Sequence, residues 1–128
     1  MAGFWVYCVQ KNIDRSGGAG LPGAMGESMH LSKQIESMYD DAVRIRQDLH
    51  RIPEIGFQLR DTQAYVLREL KQCGPDRIET PAVCGVKAVF FAKDAETTIA
   101  FRADMDGIHN DEANDVPYCS QRPGNMHG

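Results

Sequence analysis

Five apolar side chains, Ile35, Met38, Ala42, Ile45 and Leu49, recur at spacings of three, four, three and four residues. That period places them on one face of an α-helix and requires the face to be buried. Ser32 stands where an N-cap is expected, and Pro53 biases Ile52 away from helical angles, so the helix ends there. A second helix is predicted to start at Thr62, another capping residue type, to carry Val66 and Leu70 on its inner face, and to stop at Gly74-Pro75. Two β-rich runs follow, residues 86–92 and 97–103. The polar gap Lys93-Asp94-Ala95-Glu96 between them predicts an antiparallel hairpin. Beyond Ala103 the chain is dense in Asp, Asn, Gly and Pro, and residues 104–128 read mainly as loop.

Residues before the first helix have a different character. Half of the 12 glycines fall in the first 26 residues, several of them in Ser16-Gly17-Gly18-Ala19-Gly20-Leu21-Pro22-Gly23. Residues 1–30 are therefore expected to be a disordered leader, followed by a domain over residues 31–128. The apolar run from Gly3 to Val9 has no basic residue before it and is too short for a signal peptide. The cysteines, Cys8, Cys73, Cys84 and Cys119, form no CxxC pair. Reduced thiols in a cytoplasmic protein are the expectation. No apolar run approaches the roughly 20 residues that span a bilayer, so no membrane partner is expected. The formal net charge of −4 argues against a nucleic-acid partner. Residues 93–128 hold three basic and seven acidic side chains, which accounts for that whole charge. The excess suits either a solvated acidic loop or the surroundings of a hard cation.

The sharpest local feature lies within that acidic stretch. The run Thr98-Ile99-Ala100-Phe101-Arg102-Ala103-Asp104-Met105-Asp106-Gly107 ends a β pattern in Asp-x-Asp-Gly. Two neighbouring carboxylates repel and need a cation, a basic partner or hydrogen bonds to remain ionised together. Arg102 is a candidate partner for either. The pattern partly resembles the haloacid-dehalogenase phosphatases, in which the first Asp is the nucleophile, the second an acid/base and magnesium the cofactor. Ile108 after the glycine and Arg102 within the strand depart from that group.

A second resemblance is much longer. Arg46-x-x-Leu49-His50-x-x-Pro53-Glu54-x-Gly56-Phe57 resembles the N-terminal signature of the amidohydrolase branch of the aminoacylase-like metallopeptidases. That group contains hippurate hydrolases, auxin-conjugate hydrolases and N-acetyl-diaminopimelate deacetylases. The likeness continues through Thr62, Val66, Leu70 and Gly74, then Arg102-Ala103-Asp104-Met105-Asp106. It ends with Glu112, Pro117-Tyr118-x-Ser120 and Pro123-Gly124-x-Met126-His127. It covers roughly residues 45–127 in order, which is far more specific than any single motif. Gly107-Ile108-His109 stands where the family usually has Ala-Leu-Pro, Cys84 replaces a Thr, and Asp115 replaces a Gly.

The resemblance implies an α/β fold, with helices packed on a mixed sheet, of which this chain is an incomplete N-terminal part. It implies hydrolysis of N-acyl amino acids or short peptides by divalent manganese or zinc, and a parent that is a candidate homo-oligomer. The metal would lower the pKa of a bound water, and a glutamate would move its proton. In the family the Met-His pair precedes a Cys-Gly-His-Asp metal motif, so the ligands are expected after Gly128. No tight metal binding and no activity are then expected of these 128 residues alone. Asp106 and Asp104 are expected beside the metal centre as supporting residues rather than ligands. His50 is expected to hydrogen-bond nearby backbone at its helix end, and Glu54 to pair with Arg46 or Arg51. Cys119 is expected to be a free thiol, and His127 to be mobile here while adjoining the metal loop in a complete enzyme. A non-catalytic, truncated binding protein is the remaining alternative.

Overall fold

The structure, a computed structural model, describes residues 5–10, 33–91, 93 and 97–127. It is α/β. In chain order the elements are β1 (Trp5–Gln10), α1 (Tyr39–Arg51), α2 (Arg60–Gln72), β2 (Arg77–Glu79), β3 (Val86–Phe90), β4 (Thr98–Phe101), β5 (Ile108–His109) and β6 (Asn125–Met126). One sheet is mixed, in the order β2-β3-β1-β4, and the short β5 and β6 form a second.

Both helices are where the apolar periodicity places them, with shifted starts. α1 ends at Arg51, and Ile52 leaves helical angles (φ −122°, ψ 44°) ahead of Pro53, as the proline requires. Residues 33–37 are also helical, but the regular helix begins only after a turn at Met38. Ser32, the expected cap, lies outside the described residues. The apolar face is buried only in its second half. Ile45, Leu49 and Ile52 pack on the core, whereas Ile35 and Met38 are 62% and 65% exposed.

α2 begins at Arg60, two residues before the expected Thr62. No side chain at its N-cap, Leu59, satisfies the first turn. Glu54 does so instead, its Oε2 accepting the Thr62 N–H at 2.8 Å. A carboxylate there also meets the positive end of the helix dipole. The arginine pairing expected for Glu54 is thereby replaced by a helix cap. At the other end Gly74 takes a positive φ of 65° and its N–H reaches the Lys71 carbonyl, the expected stop.

The core lies between α2 and β3. Thr62, Tyr65, Val66 and Leu70 from the helix are buried, as are Val86, Ala88 and Val89 from the strand. Leu59, Cys84 and Met105 close the cluster. The β runs form at the expected positions, but their pairing differs. β1 lies between them, parallel to β3 with Cys8 opposite Val89, and antiparallel to β4 with Cys8 opposite Ala100. The expected β3–β4 hairpin is corrected to a three-strand arrangement, in which two strands of opposite direction flank a third. Residues 5–10, expected within a disordered leader, thus supply that strand. The rest of that stretch lies outside the described residues. β2 pairs antiparallel with the outer side of β3.

Residues 107–127 fold back over the end of α1. The Gly107 N–H donates to the Glu54 carbonyl at 2.7 Å and the Gln121 N–H to the Arg51 carbonyl at 2.9 Å. Arg122 pairs with Asp61 of α2. A largely irregular stretch is thereby anchored to both helices.

Candidate active-site cleft

α1, α2, the chain after β4 and His127 enclose a cleft of about 780 Å³. Its walls are mostly apolar, drawn from Ile45, Leu49, Val66, Leu70 and Met105, while Arg46 and Asp104 also line it. Such an apolar cleft with a few convergent polar groups is the usual form of a small-molecule site.

His50 enters it from the last turn of α1. The side chain is buried, and its Nε2 lies 2.9 Å from Glu112 Oε1. The expected backbone partner is therefore replaced by a carboxylate 62 residues away in sequence. The other oxygen of Glu112 accepts the Ser120 N–H at 2.7 Å. That main-chain donor, and then the His50 hydrogen bond, hold the Glu112 carboxyl below the usual carboxylate range. The His50 ring also meets Tyr118 edge-on, with centroids 5.8 Å apart, and His127 at 6.5 Å. Glu112, Tyr118 and Ser120 were visible in the sequence only as parts of a motif. Nothing in their spacing announces that Glu112 and Tyr118 meet His50 while Ser120 holds Glu112.

His127 lies against Asp106. Burial, and then the neighbouring His50, lower the pKa of its imidazole, while the Asp106 carboxylate and main chain act the other way. Asp104 and Asp106, the strand-end acids, take different surroundings. Asp104 is 56% exposed and pairs with Arg102, one of the two partnerships expected. Asp106 is half-buried beside His127. Cys119 is a free thiol whose Sγ lies 2.8 Å from the Val116 carbonyl. His109 bonds Asn125 across the β5–β6 pair at 2.9 Å.

These residues do not fit a metal ion. Among the described residues no three His, Cys, Asp or Glu side chains converge as a ligand set. Glu112 is already committed to His50 and Ser120, and Asp104 to Arg102. No step of a reaction is therefore assigned to metal among the described residues. Among the described residues no helix is long and apolar enough to cross a membrane.

The motif segments thus assemble around one cleft in an α/β unit, and the chain belongs to the amidohydrolase family. The relatives that show this are N-acetyldiaminopimelate deacetylases. The one from Bacillus subtilis is 40% identical over 89 residues, 69% of this chain and 24% of its own length. Those from Exiguobacterium sibiricum and Bacillus velezensis are 38% and 42% identical over 91 and 86 residues, 67% and 66% of this chain and 24% and 23% of theirs. The chain spans about a quarter of the length of the curated relatives it matches. No protein-family model matches it, and no solved structure does.

Proposed function

We propose that this chain is part of a metal-dependent hydrolase of N-acyl amino acids, in which it forms one wall of the substrate cleft. One observation carries the reading. Arg46 and His50 of the first motif, Asp104 of the strand-end motif and His127 of the last, distant in sequence, line the same cleft. Glu112 reaches into it through His50. The substrate class follows the names of the relatives, and the metal is manganese or zinc held by ligands from outside the described residues. Asp106 and Asp104 act as supporting groups, Asp106 through its contact with His127. A cytoplasmic setting and a homo-oligomeric parent belong to the same proposal. No activity is proposed for the described unit by itself, in keeping with ligands supplied from elsewhere. The phosphatase alternative has no comparable support, because Asp104 is more than half exposed and ion-paired with Arg102 rather than sheltered as a nucleophile.

A chimera tests this. The 89 matched residues of the Bacillus subtilis deacetylase are replaced by their counterparts here. Deacetylation of N-acetyldiaminopimelate within about tenfold of the parent enzyme is expected, since the cleft wall is retained. A folded chimera with no turnover, while a control chimera from another relative remains active, would count against the proposal.

A further inference from the structure

Besides its histidines, the cleft is lined by the charged side chains of Asp41, Arg44, Arg46, Glu69 and Asp104. All but one of them are matched within the chain. Asp41 and Glu69 both pair with Arg44, at 3.5 and 3.0 Å. Asp104 pairs with Arg102. Arg46 is the exception, for it makes no ion pair and no hydrogen bond among the described residues. It is exposed, so a molecule in the cleft can reach it. A guanidinium is also charged at every pH at which a protein folds, so its state depends on no neighbour.

Arg46 is nevertheless held in place. Its guanidinium carbon lies over the Tyr118 ring, 5.8 Å from the centroid. The same ring meets His50 edge-on at 5.8 Å. Arg46 and His50 are four residues apart on α1 and therefore share a face, against which Tyr118 rests. The stretch that carries Tyr118 is tied down by the bond from the Gln121 N–H to the Arg51 carbonyl and by Glu112 on the Ser120 N–H. Contact with a ring consumes none of the five guanidinium N–H donors. Their fork matches the two oxygens of a carboxylate. Ile45, Leu49, Val66 and Leu70 of the same cleft offer a hydrocarbon chain its apolar surface. A cation braced beside such a wall selects an anionic group on an aliphatic chain and disfavours an ammonium.

We propose that Arg46 binds a carboxylate of the ligand, whose hydrocarbon chain lies along the apolar wall, and that Tyr118 is the positioning residue that braces the guanidinium. The proposal rests on the hydrolase reading for its choice of ligand, since every N-acyl amino acid carries a carboxylate. Its test reads binding as well as turnover.

N-acetyldiaminopimelate has one carboxylate beside its amide and a second beside its ammonium. Nε-acetyllysine is the same chain without the first, and Nα-acetyllysine is the same chain without the second. Each compound is titrated by calorimetry into the 128-residue chain and assayed with the chimera. Arg46→Ala is expected to weaken binding of N-acetyldiaminopimelate about 10- to 100-fold, the effect of losing one charge-assisted pair, and to raise KM in the chimera by about the same factor with a smaller change in kcat. Arg46→Lys should recover part of the loss, because it keeps the charge without the fork. One of the lysine derivatives should already bind the unaltered chain as weakly as N-acetyldiaminopimelate binds Arg46→Ala, and should lose nothing further on substitution. That compound lacks the recognised carboxylate. Tyr118→Leu should weaken the other two compounds several-fold and leave this one unchanged. Circular dichroism checks that the variants fold, since an exposed arginine without an ion pair contributes little to stability. Equal loss for all three compounds, no loss for any, or no binding by either protein would overturn the proposal. A folded chimera that turns over none of them, with binding still dependent on Arg46, would instead overturn the hydrolase reading alone.

Discussion

Glu112 shows how much one side chain can decide. It sits in a stretch without regular structure, yet its side chain is only 6% exposed and ties the end of α1 to the Ser120 main chain. Its carboxyl titrates below the ordinary range in the folded chain, chiefly because of the Ser120 N–H and then His50. A depressed carboxyl pKa contributes stability at pH above the unfolded value of about 4.3, and that contribution is lost as pH falls through the folded value. His127 acts in the same direction from higher pH. Its imidazole is harder to protonate when folded, so acidification below about 6.5 favours the unfolded chain. Glu112→Gln should therefore flatten the fall in melting temperature below about pH 5 while leaving the decline between about pH 6.5 and 5 in place. Thermal melts by circular dichroism from pH 7 to 3 provide the check, and parallel curves for the two proteins would refute it. At pH 7 the variant should melt several degrees lower, because a neutral amide replaces a charge-assisted acceptor.

At the scale of elements, the two helices owe their ends to different causes. α1 is stopped locally by Pro53, whereas α2 is started from a distance by Glu54, six residues before its first helical residue. The same residue's carbonyl receives the Gly107 N–H, so one turn positions both α2 and the strand-end acids. That closure leaves no room for a side chain at Gly107. A Cβ there would stand 2.7 Å from the Met126 carbonyl and 3.0 Å from Pro53 Cβ. The glycine permits the close approach of β6 to the 53–54 turn. Gly107→Ala should push the two apart and cost about 1–3 kcal/mol, the range for forcing extra volume into a packed site. Urea denaturation provides the measurement, and a stability within about 0.5 kcal/mol of wild type would show that the loop relaxes freely.

The molecule as a whole is unevenly covered. α2 and part of α1 bury one side of β3, but all four residues of β4 are exposed, including Ile99 at 40% and Phe101 at 59%. β2, the opposite edge, is short and carries Arg77 and Glu79, with Lys87 bridging to Glu79 at 3.2 Å, and charge of this kind discourages edge pairing. β4 has no such protection in its own apolar residues. Expressed alone, the chain should be marginally stable and prone to associate through this strand. Ile99→Thr combined with Phe101→Thr should shift it toward monomer in gel filtration with little change in melting temperature, since both side chains are exposed and Thr suits a strand. A sharp, concentration-independent monomer peak for the unaltered chain would contradict this.

What was legible in the sequence is what local periodicity controls. The second half of α1, α2 apart from its start, the stop at Gly74 and the two β runs follow from spacing and breaker residues, because a helix or strand buries one face wherever it packs. The family followed from motif order, which depends on no coordinate. Tertiary structure decided the rest. The pairing of β1 between β3 and β4 depends on segments that meet only after folding, and the three-residue β2 is too short to show a period. The convergence of His50, Glu112 and His127 joins a helix end to a loop and a short strand's margin, and hydrogen bonds across such separations leave no trace in residue spacing. Side-chain chemistry was therefore readable as motif, while the burial of Thr62 Oγ1 and His127 Nε2 without partners exists only where packing has removed water from those atoms.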